Sequence, residues 1–322
     1  MLEELKKNWF ALVVALALFV ASGFYIADQS RNKVKAKKVD GQQVVFSINK
    51  ENYLASEFQD DLYDSLHESA LFQIFRKQVL TSLETSEDNA KDAQLRADSF
   101  IAYIKQSEGQ KGLDAADKDL MAMGYDGIDE LSVYYENELK YNDLITDLFM
   151  ENYDELFKKD FEANKPRLVT HILVKMDDPS NPTEEELEKI KTIEEALETG
   201  EFEEVAMLHS DDTQSAQQGG SIGVVDKESS LDEAFSKAML KLEKDETSEW
   251  VTSQFGQHLI KVNETEFQKL LKDPEYFSSL ETEHKELVGN RFWQTAEKLN
   301  LEFADKAIED SIKNVLGIKE AE

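Results

Sequence analysis

A change of period divides this chain. From Asn49 to Phe161 there is no proline, and apolar residues recur every three or four positions. Phe58, Leu62, Leu66, Leu71, Ile74, Phe75, Val79 and Leu83 form one such set, and Leu131, Tyr135, Leu139, Leu144 and Leu148 continue it. That spacing puts an apolar stripe on successive helices, with Gly109, Gly112, Gly124 and Gly127 marking the breaks. At Lys165-Pro166 the character changes. Leu168-Val169-Thr170-His171-Ile172-Leu173-Val174 is apolar and rich in β-branched residues, which predicts a buried strand. After Asn263 the helical period returns, with Leu287, Phe292, Trp293, Leu299, Phe303, Ile308 and Ile312.

The stretch from Arg167 to Asn263 has its own punctuation. Pro179 and Pro182 mark a loop, and Thr183 with Glu186 predicts a capping box for a helix carrying Leu187, Ile190, Ile193 and Leu197. A shorter helix holds Phe202, Val205 and Leu208. Gly219-Gly220 turns into a brief strand at Ile222 to Val225. Ser230 and Glu233 predict a second capping box before a helix with Ala234, Phe235, Ala238 and Met239. Trp250-Val251-Thr252 and Gln257 to Val262 predict a hairpin around Phe255-Gly256. The order strand, two helices, strand, helix, two strands predicts a small sheet with helices packed on it. The C-terminal helices are too few to make a core alone, so they are expected to pack with the N-terminal ones, leaving the α/β module as an insertion.

The net charge of −31 excludes most nucleic-acid partners, because phosphate binding needs a basic face. The chain has no cysteine, which excludes disulfides, thiolate catalysis and cysteine-ligated metal. From Trp9 to Ala27 nineteen residues carry no charge, and Lys6 and Lys7 precede them. At ~1.5 Å per residue such a helix just spans a hydrocarbon core of ~30 Å. It reads as a signal peptide or as a single anchor. The apolar run continues through Phe24, Tyr25 and Ile26, past the small residues Ala21 and Gly23, which favours the anchor. The basic run Arg31, Lys33, Lys35, Lys37 and Lys38 would by charge alone sit in the cytoplasm.

Two of the five histidines lie in strands of the same module. By alternation His171 shares a face with Val169 and Leu173, and His258 shares one with Ile260 and Val262. One histidine in an apolar strand is ordinarily a satisfied core residue. Two in one small sheet, with Ser210-Asp211-Asp212 after a helix, point instead to a polar site. No histidine pair has the close spacing usual for zinc, so no metal is expected.

These residues resemble the parvulin family of peptidyl-prolyl isomerases. The likeness rests on His171-Ile172-Leu173-Val174, on Ser210-Asp211-Asp212-Thr213 leading to Gly219-Gly220-Ser221-Ile222-Gly223, and on Phe255-Gly256-Gln257-His258-Leu259-Ile260. The rest of the chain is similar in layout to extracytoplasmic foldases of the PrsA type, in which both ends build a helical domain around a parvulin insertion. The fold class implied is α+β: a parvulin-like small antiparallel sheet inserted in an all-helical, SurA/PrsA-like chaperone domain, behind an N-terminal transmembrane helix. The expected divisions are 1–38 anchor and basic linker, 39–164 helical domain, 165–263 isomerase domain and 264–322 returning helices.

The resemblance also implies roles. His171 and His258 match the family's paired active-site histidines, and Asp212 falls where parvulins carry cysteine or aspartate. Ile222, Leu231 and Phe235 fall at the apolar positions of the proline pocket. Leu231 replaces the usual methionine, and Val225 to Ser230 lacks the glycines and aromatic residue common there. The acidic loop Lys175 to Glu186 argues against phosphoserine-proline substrates, since a dianionic phosphate needs cationic partners. Lipoprotein members have a cysteine where Val20-Ala21-Ser22 leads to Gly23, so retention here would rest on the apolar helix. The implied activity is a foldase for unfolded or partly folded exported polypeptides with X–Pro bonds. It would be held at the cell membrane by one span, with the folded part on the extracytoplasmic side, no cofactor, and a homodimer left open. A holdase with a weak or inactive parvulin module is the competing expectation.

Overall fold

The computed structural model describes residues 38–39, 41–48, 51–56 and 68–319. The apolar segment Trp9–Ala27 lies outside them. Among the described residues no helix is long and apolar enough to cross a membrane. The chain divides into two compact units, Met1–Ser69 and Ala70–Glu322.

The first unit corrects the helical reading of residues 39–164 at its start. Strands β1 (Lys38–Val39), β2 (Gln42–Ile48) and β3 (Glu51–Leu54) form an antiparallel sheet in that order. Val44, Val45, Phe46 and Ile48 are β-branched or aromatic and suit a pleated surface. Phe46 pairs with Tyr53 across the strands, and their rings stack at 4.6 Å. A cross-strand aromatic pair contributes of order 0.2–1 kcal/mol. Helical spacing read forward from Asn49 misses this, because the signal lies in pairing between strands.

The second unit opens within α1 (Glu68–Thr81), followed by α2 (Glu87–Ser107), α3 (Gly109–Ala122), α4 (Leu131–Glu151) and α5 (Lys158–Asn164). Ser86 caps α2 by accepting from Asn89 N at 3.1 Å. α5 stops at Lys165 because Pro166 disfavours helical geometry in the residue before it. Strand β4 (Arg167–Lys175) follows, then α6 (Glu184–Leu197), α7 (Phe202–His209), α8 (Thr213–Ala216), β5 (Ser221–Val225), α9 (Glu233–Met239), β6 (Val251–Ser253) and β7 (Gly256–Glu264). The chain ends in α10 (Phe267–Leu270), α11 (Pro274–Glu283), α12 (Lys285–Lys298) and α13 (Lys306–Leu316).

Helices from before and after the α/β stretch share two cores. Val79 and Leu80 of α1 pack with Phe292, Ala296, Ile312 and Leu316. Ile145, Leu148 and Phe149 of α4 pack with Phe267, Phe277 and Val288. Burying a large side chain contributes roughly 1.5–3 kcal/mol, so neither set of helices would keep its apolar stripe covered without the other.

The sheet order is β5-β4-β7-β6, antiparallel throughout. One face (Ile172, Val174, Leu259) is covered by Ile193 of α6 and Phe202 and Val205 of α7. The other (Val169, Ile260, Val262) is covered by Phe235 and Met239 of α9. The Thr183–Glu186 capping box opens α6. The Ser230–Glu233 expectation fails: α9 begins at Glu233, and Asp232 caps it by accepting from Ala234 N and Phe235 N. An aspartate directly before the first helical residue fits an N-cap better than a serine two residues earlier.

Candidate active site

β5 pairs with only the first half of β4, which leaves later backbone groups of β4 without a strand partner. The segment after α7 fills that edge. Ser210 Oγ accepts from Leu173 N at 3.1 Å, Asp211 N donates to the Leu173 carbonyl at 2.8 Å, and Asp211 Oδ2 accepts from Lys175 N at 3.0 Å. A buried polar backbone is costly unless paired, so Ser210 and Asp211 fix the place of the next residue, Asp212. Gly220 brings the following turn against the same strand. Its φ is +81°, His171 N donates to its carbonyl at 2.8 Å, and a Cβ there would lie 2.4 Å from the His171 carbonyl.

The register sets the histidines. His171 lies opposite Ile260, and Leu173 lies opposite His258. Opposed residues share a face, so the two imidazoles are diagonal neighbours on the α9 side. His171 is 6% exposed and His258 5%. Their Nδ1 atoms are 3.3 Å apart. His171 Nε2 is 2.9 Å from Asp212 Oδ2 and 3.2 Å from Ser215 Oγ, and Ser215 Oγ donates to Asp212 Oδ2 at 2.7 Å. At the other end Ser253 Oγ is 2.7 Å from His258 Nε2 and accepts from Phe255 N at 3.0 Å.

One assignment of protons satisfies the whole chain when both rings are neutral. The Asp212 carboxylate can only accept, so His171 Nε2 donates to it. His171 Nδ1 then accepts from His258 Nδ1, and His258 Nε2 accepts from the Ser253 hydroxyl. These tautomers follow from the network rather than from located hydrogens. Burial, with the neighbouring His171 charge second, pushes the pKa of His258 down to about 4, so that ring is neutral at pH 7. Burial works against the Asp212 carboxylate, but hydrogen bonds from Ser215 and His171 outweigh it and hold the group below its usual range. The Asp212 side chain is 31% exposed, the open end of an otherwise covered network.

The apolar candidates gather beside it. Phe235 meets both imidazoles edge-on, with centroids at 5.6 Å from His171 and 5.3 Å from His258. Ile222 and Leu231 are half-buried and pack against the same cluster as Phe235, Val169 and Ile260. The loop before Leu231 is held without glycine, since Asp226 Oδ1 accepts from Ser229 Oγ and from Glu228 N, both at 2.9 Å. All six candidate positions therefore lie on or against one face of the sheet. Sequence reasoning missed Ser215 and Ser253. Their only local signals are a hydroxyl three residues after Asp212 and another two residues before Phe255-Gly256. Among the described residues no group of three or more histidine or acidic side chains is placed to hold a metal ion.

The family model described as a PPIC-type PPIASE domain, or rotamase, matches residues 171–264, from the first histidine to the end of β7. This segment is a parvulin-type peptidyl-prolyl isomerase domain. Curated relatives extend the likeness. Foldase protein PrsA 1 of Bacillus cereus is 40% identical over 109 residues, which cover 34% of this chain and 35% of that protein. Foldase protein PrsA of Bacillus subtilis is 33% identical over 188 residues, 55% of this chain and 60% of that protein. Foldase protein PrsA of Oceanobacillus iheyensis is 26% identical over 299 residues, 87% of this chain and 88% of that protein. The first two matches thus span only about a third and three fifths of their relatives. The family match is thus to residues 171–264, and over 299 residues the chain is similar to a PrsA foldase.

Proposed function

We propose that the protein accelerates cis/trans isomerisation of X–Pro bonds in unfolded or partly folded exported polypeptides. The observation that carries this is the unbroken hydrogen-bond chain from Ser253 through His258 and His171 to Asp212, with Phe235 edge-on to both rings. Twisting a peptide bond costs ~18–20 kcal/mol because the amide loses its resonance. Uncatalysed X–Pro exchange takes tens to hundreds of seconds and can limit folding. No nucleophile is needed. Ile222, Leu231 and Phe235 hold the proline ring against an apolar wall, and the fixed dipoles of His171 and His258 favour the twisted amide over the planar one. Asp212 acts as an electrostatic element that locks the His171 tautomer, rather than as a base.

The layout proposed is an anchor and linker ahead of the β1–β3 sheet, a helical chaperone domain over 68–164 and 264–322, and the isomerase domain over 165–263. The helical cores shared across the isomerase domain support it. The uncharged run Trp9–Ala27 supports a single-span anchor with the folded part outside the cytoplasm.

A holdase reading also has an observation behind it. Helices α2, α3 and α4 enclose a groove of about 410 Å³ lined by Phe100, Ile104, Leu120, Tyr134 and Tyr135, and Leu95, Tyr103 and Met121 are exposed on α2 and α3. Proline-limited refolding of a test protein separates the readings. Acceleration that is lost in His258→Ala and Asp212→Ala, with helicity retained, supports the isomerase. Suppressed aggregation with no acceleration would leave the holdase alone.

A further inference from the structure

A shallow groove lies between the start of α9 and the β6–β7 turn. Asp232, Glu233, Ala234 and Lys237 line it on one side, and Thr252, Ser253 and Gln254 on the other, around a volume of about 400 Å³. Two residues tie it to the proposed isomerase site. Ser253 lines the groove and hydrogen-bonds His258 Nε2. Phe235 follows Ala234 directly and packs edge-on against both imidazoles. A peptide whose proline ring lies against Phe235 would have a neighbouring residue within reach of this groove.

The groove has three charged side chains, and two of them cancel. Lys237 Nζ pairs with Glu233 Oε1 at 2.5 Å, four residues apart on the exposed side of α9. Asp232 remains. Its Oδ1 is committed to the cap, accepting from Ala234 N and Phe235 N, while among the described residues none donates to Oδ2. The cap holds the carboxylate in one place, so a ligand charge meeting it does not have to immobilise it first. Asp232 is near enough for its field to act on His258. With Asp212 it places two carboxylates whose fields act on His258.

We propose that this site selects prolines flanked by a cationic residue, lysine or arginine, whose charge sits against Asp232 in the groove. The proposal rests on the isomerase reading and names the substrate class of that same site. A partly exposed pair with a fixed carboxylate corresponds to a preference of about two- to five-fold over alanine at low salt.

The test measures isomerisation by exchange NMR with the full chain and short peptides in which lysine, arginine, alanine or glutamate stands before or after proline. Lysine and arginine peptides are expected to exchange about two- to five-fold faster than alanine peptides, and glutamate peptides more slowly. The preference should shrink at ~1 M salt, where charges are screened within ~3 Å. Asp232→Asn retains a good N-cap and should bring the lysine-to-glutamate ratio close to one. Glu233→Gln, which frees Lys237 beside the groove, should lower the ratio even if Asp232→Asn folds poorly. Equal rates across the series in the wild type, or a ratio unmoved by both substitutions, would overturn the preference and leave the isomerase standing. If no peptide exchanges faster with the protein than without it, the isomerase reading falls too.

Discussion

In the helical part Lys140 is 6% exposed; its ammonium donates to the Leu80 carbonyl at 3.1 Å and pairs with Glu136 at 2.9 Å. Asn137, one turn away, is fully buried and donates to Thr81 Oγ1 and Tyr125 OH. In the isomerase domain His171 and His258 are as deeply covered, but each is a ring whose two nitrogens can donate or accept, and the series ends at the partly exposed Asp212. The first arrangement ties helix α4 to the end of α1 and has one settled pattern of protons. The second can be reached and polarised from outside. Burial of polar groups alone therefore does not mark a site. Both networks reach a partly exposed carboxylate, Glu136 in one and Asp212 in the other; what separates them is that imidazole nitrogens can exchange donor and acceptor roles, whereas an ammonium only donates.

Substitutions should break or sharpen that contrast. The largest effect is expected in the shared helical core: Phe292→Ala, at a site with 1% exposure, should cost about 3–5 kcal/mol in chemical denaturation. Exchange rate per folded molecule should change little. Asp212→Asn, which keeps the shape and removes the charge that fixes the His171 tautomer, should lower the isomerisation rate by roughly ten-fold or more in exchange NMR. Unfolding midpoints should move little. Lys140→Met should reverse that pattern: about 1–3 kcal/mol of stability lost because the Leu80 carbonyl and Glu136 lose their partner, with the rate kept. A rate loss as large as that of Asp212→Asn would sink the contrast.

The smallest effect is in pH. The folded-state pKa of His258 lies below its ordinary value of 6.5, at about 4. Between these values the unfolded chain binds a proton that the folded one does not. The stability contributed by His258 is therefore present above pH ~6.5 and is lost as pH falls towards 4. An NMR titration of its ring should show a midpoint near 4, and one near 6.5 would mean that the ring is not desolvated.

Much of the module was legible because its signals are local. The Thr183–Glu186 box and the Phe255-Gly256 hairpin each lie within a few residues, and both form as read. The misreadings share one cause. Gln42 to Leu54 pairs as strands through contacts such as Phe46 with Tyr53, and Asp232 rather than Ser230 caps α9 because the helix begins at Glu233, two residues after the start that the box required. Ser253 carries only a weak signal, its hydroxyl just before Phe255-Gly256, since nothing within its strand shows that a histidine will face it.

The sequence by itself determined which residues could do chemistry: two histidines on alternating strands, an acidic residue after a helix, and apolar residues spaced one turn apart. Alternation is a property of each strand, so it needs no partner. The tertiary structure alone decided that the histidines meet. They are 87 residues apart, and a slip of one residue in the β4–β7 pairing would put them on opposite faces. The pairing of His171 with Ile260 and Leu173 with His258 holds because Val169, Ile260 and Val262 must all lie under α9. Burial of that apolar face sets the register, and the register makes the site.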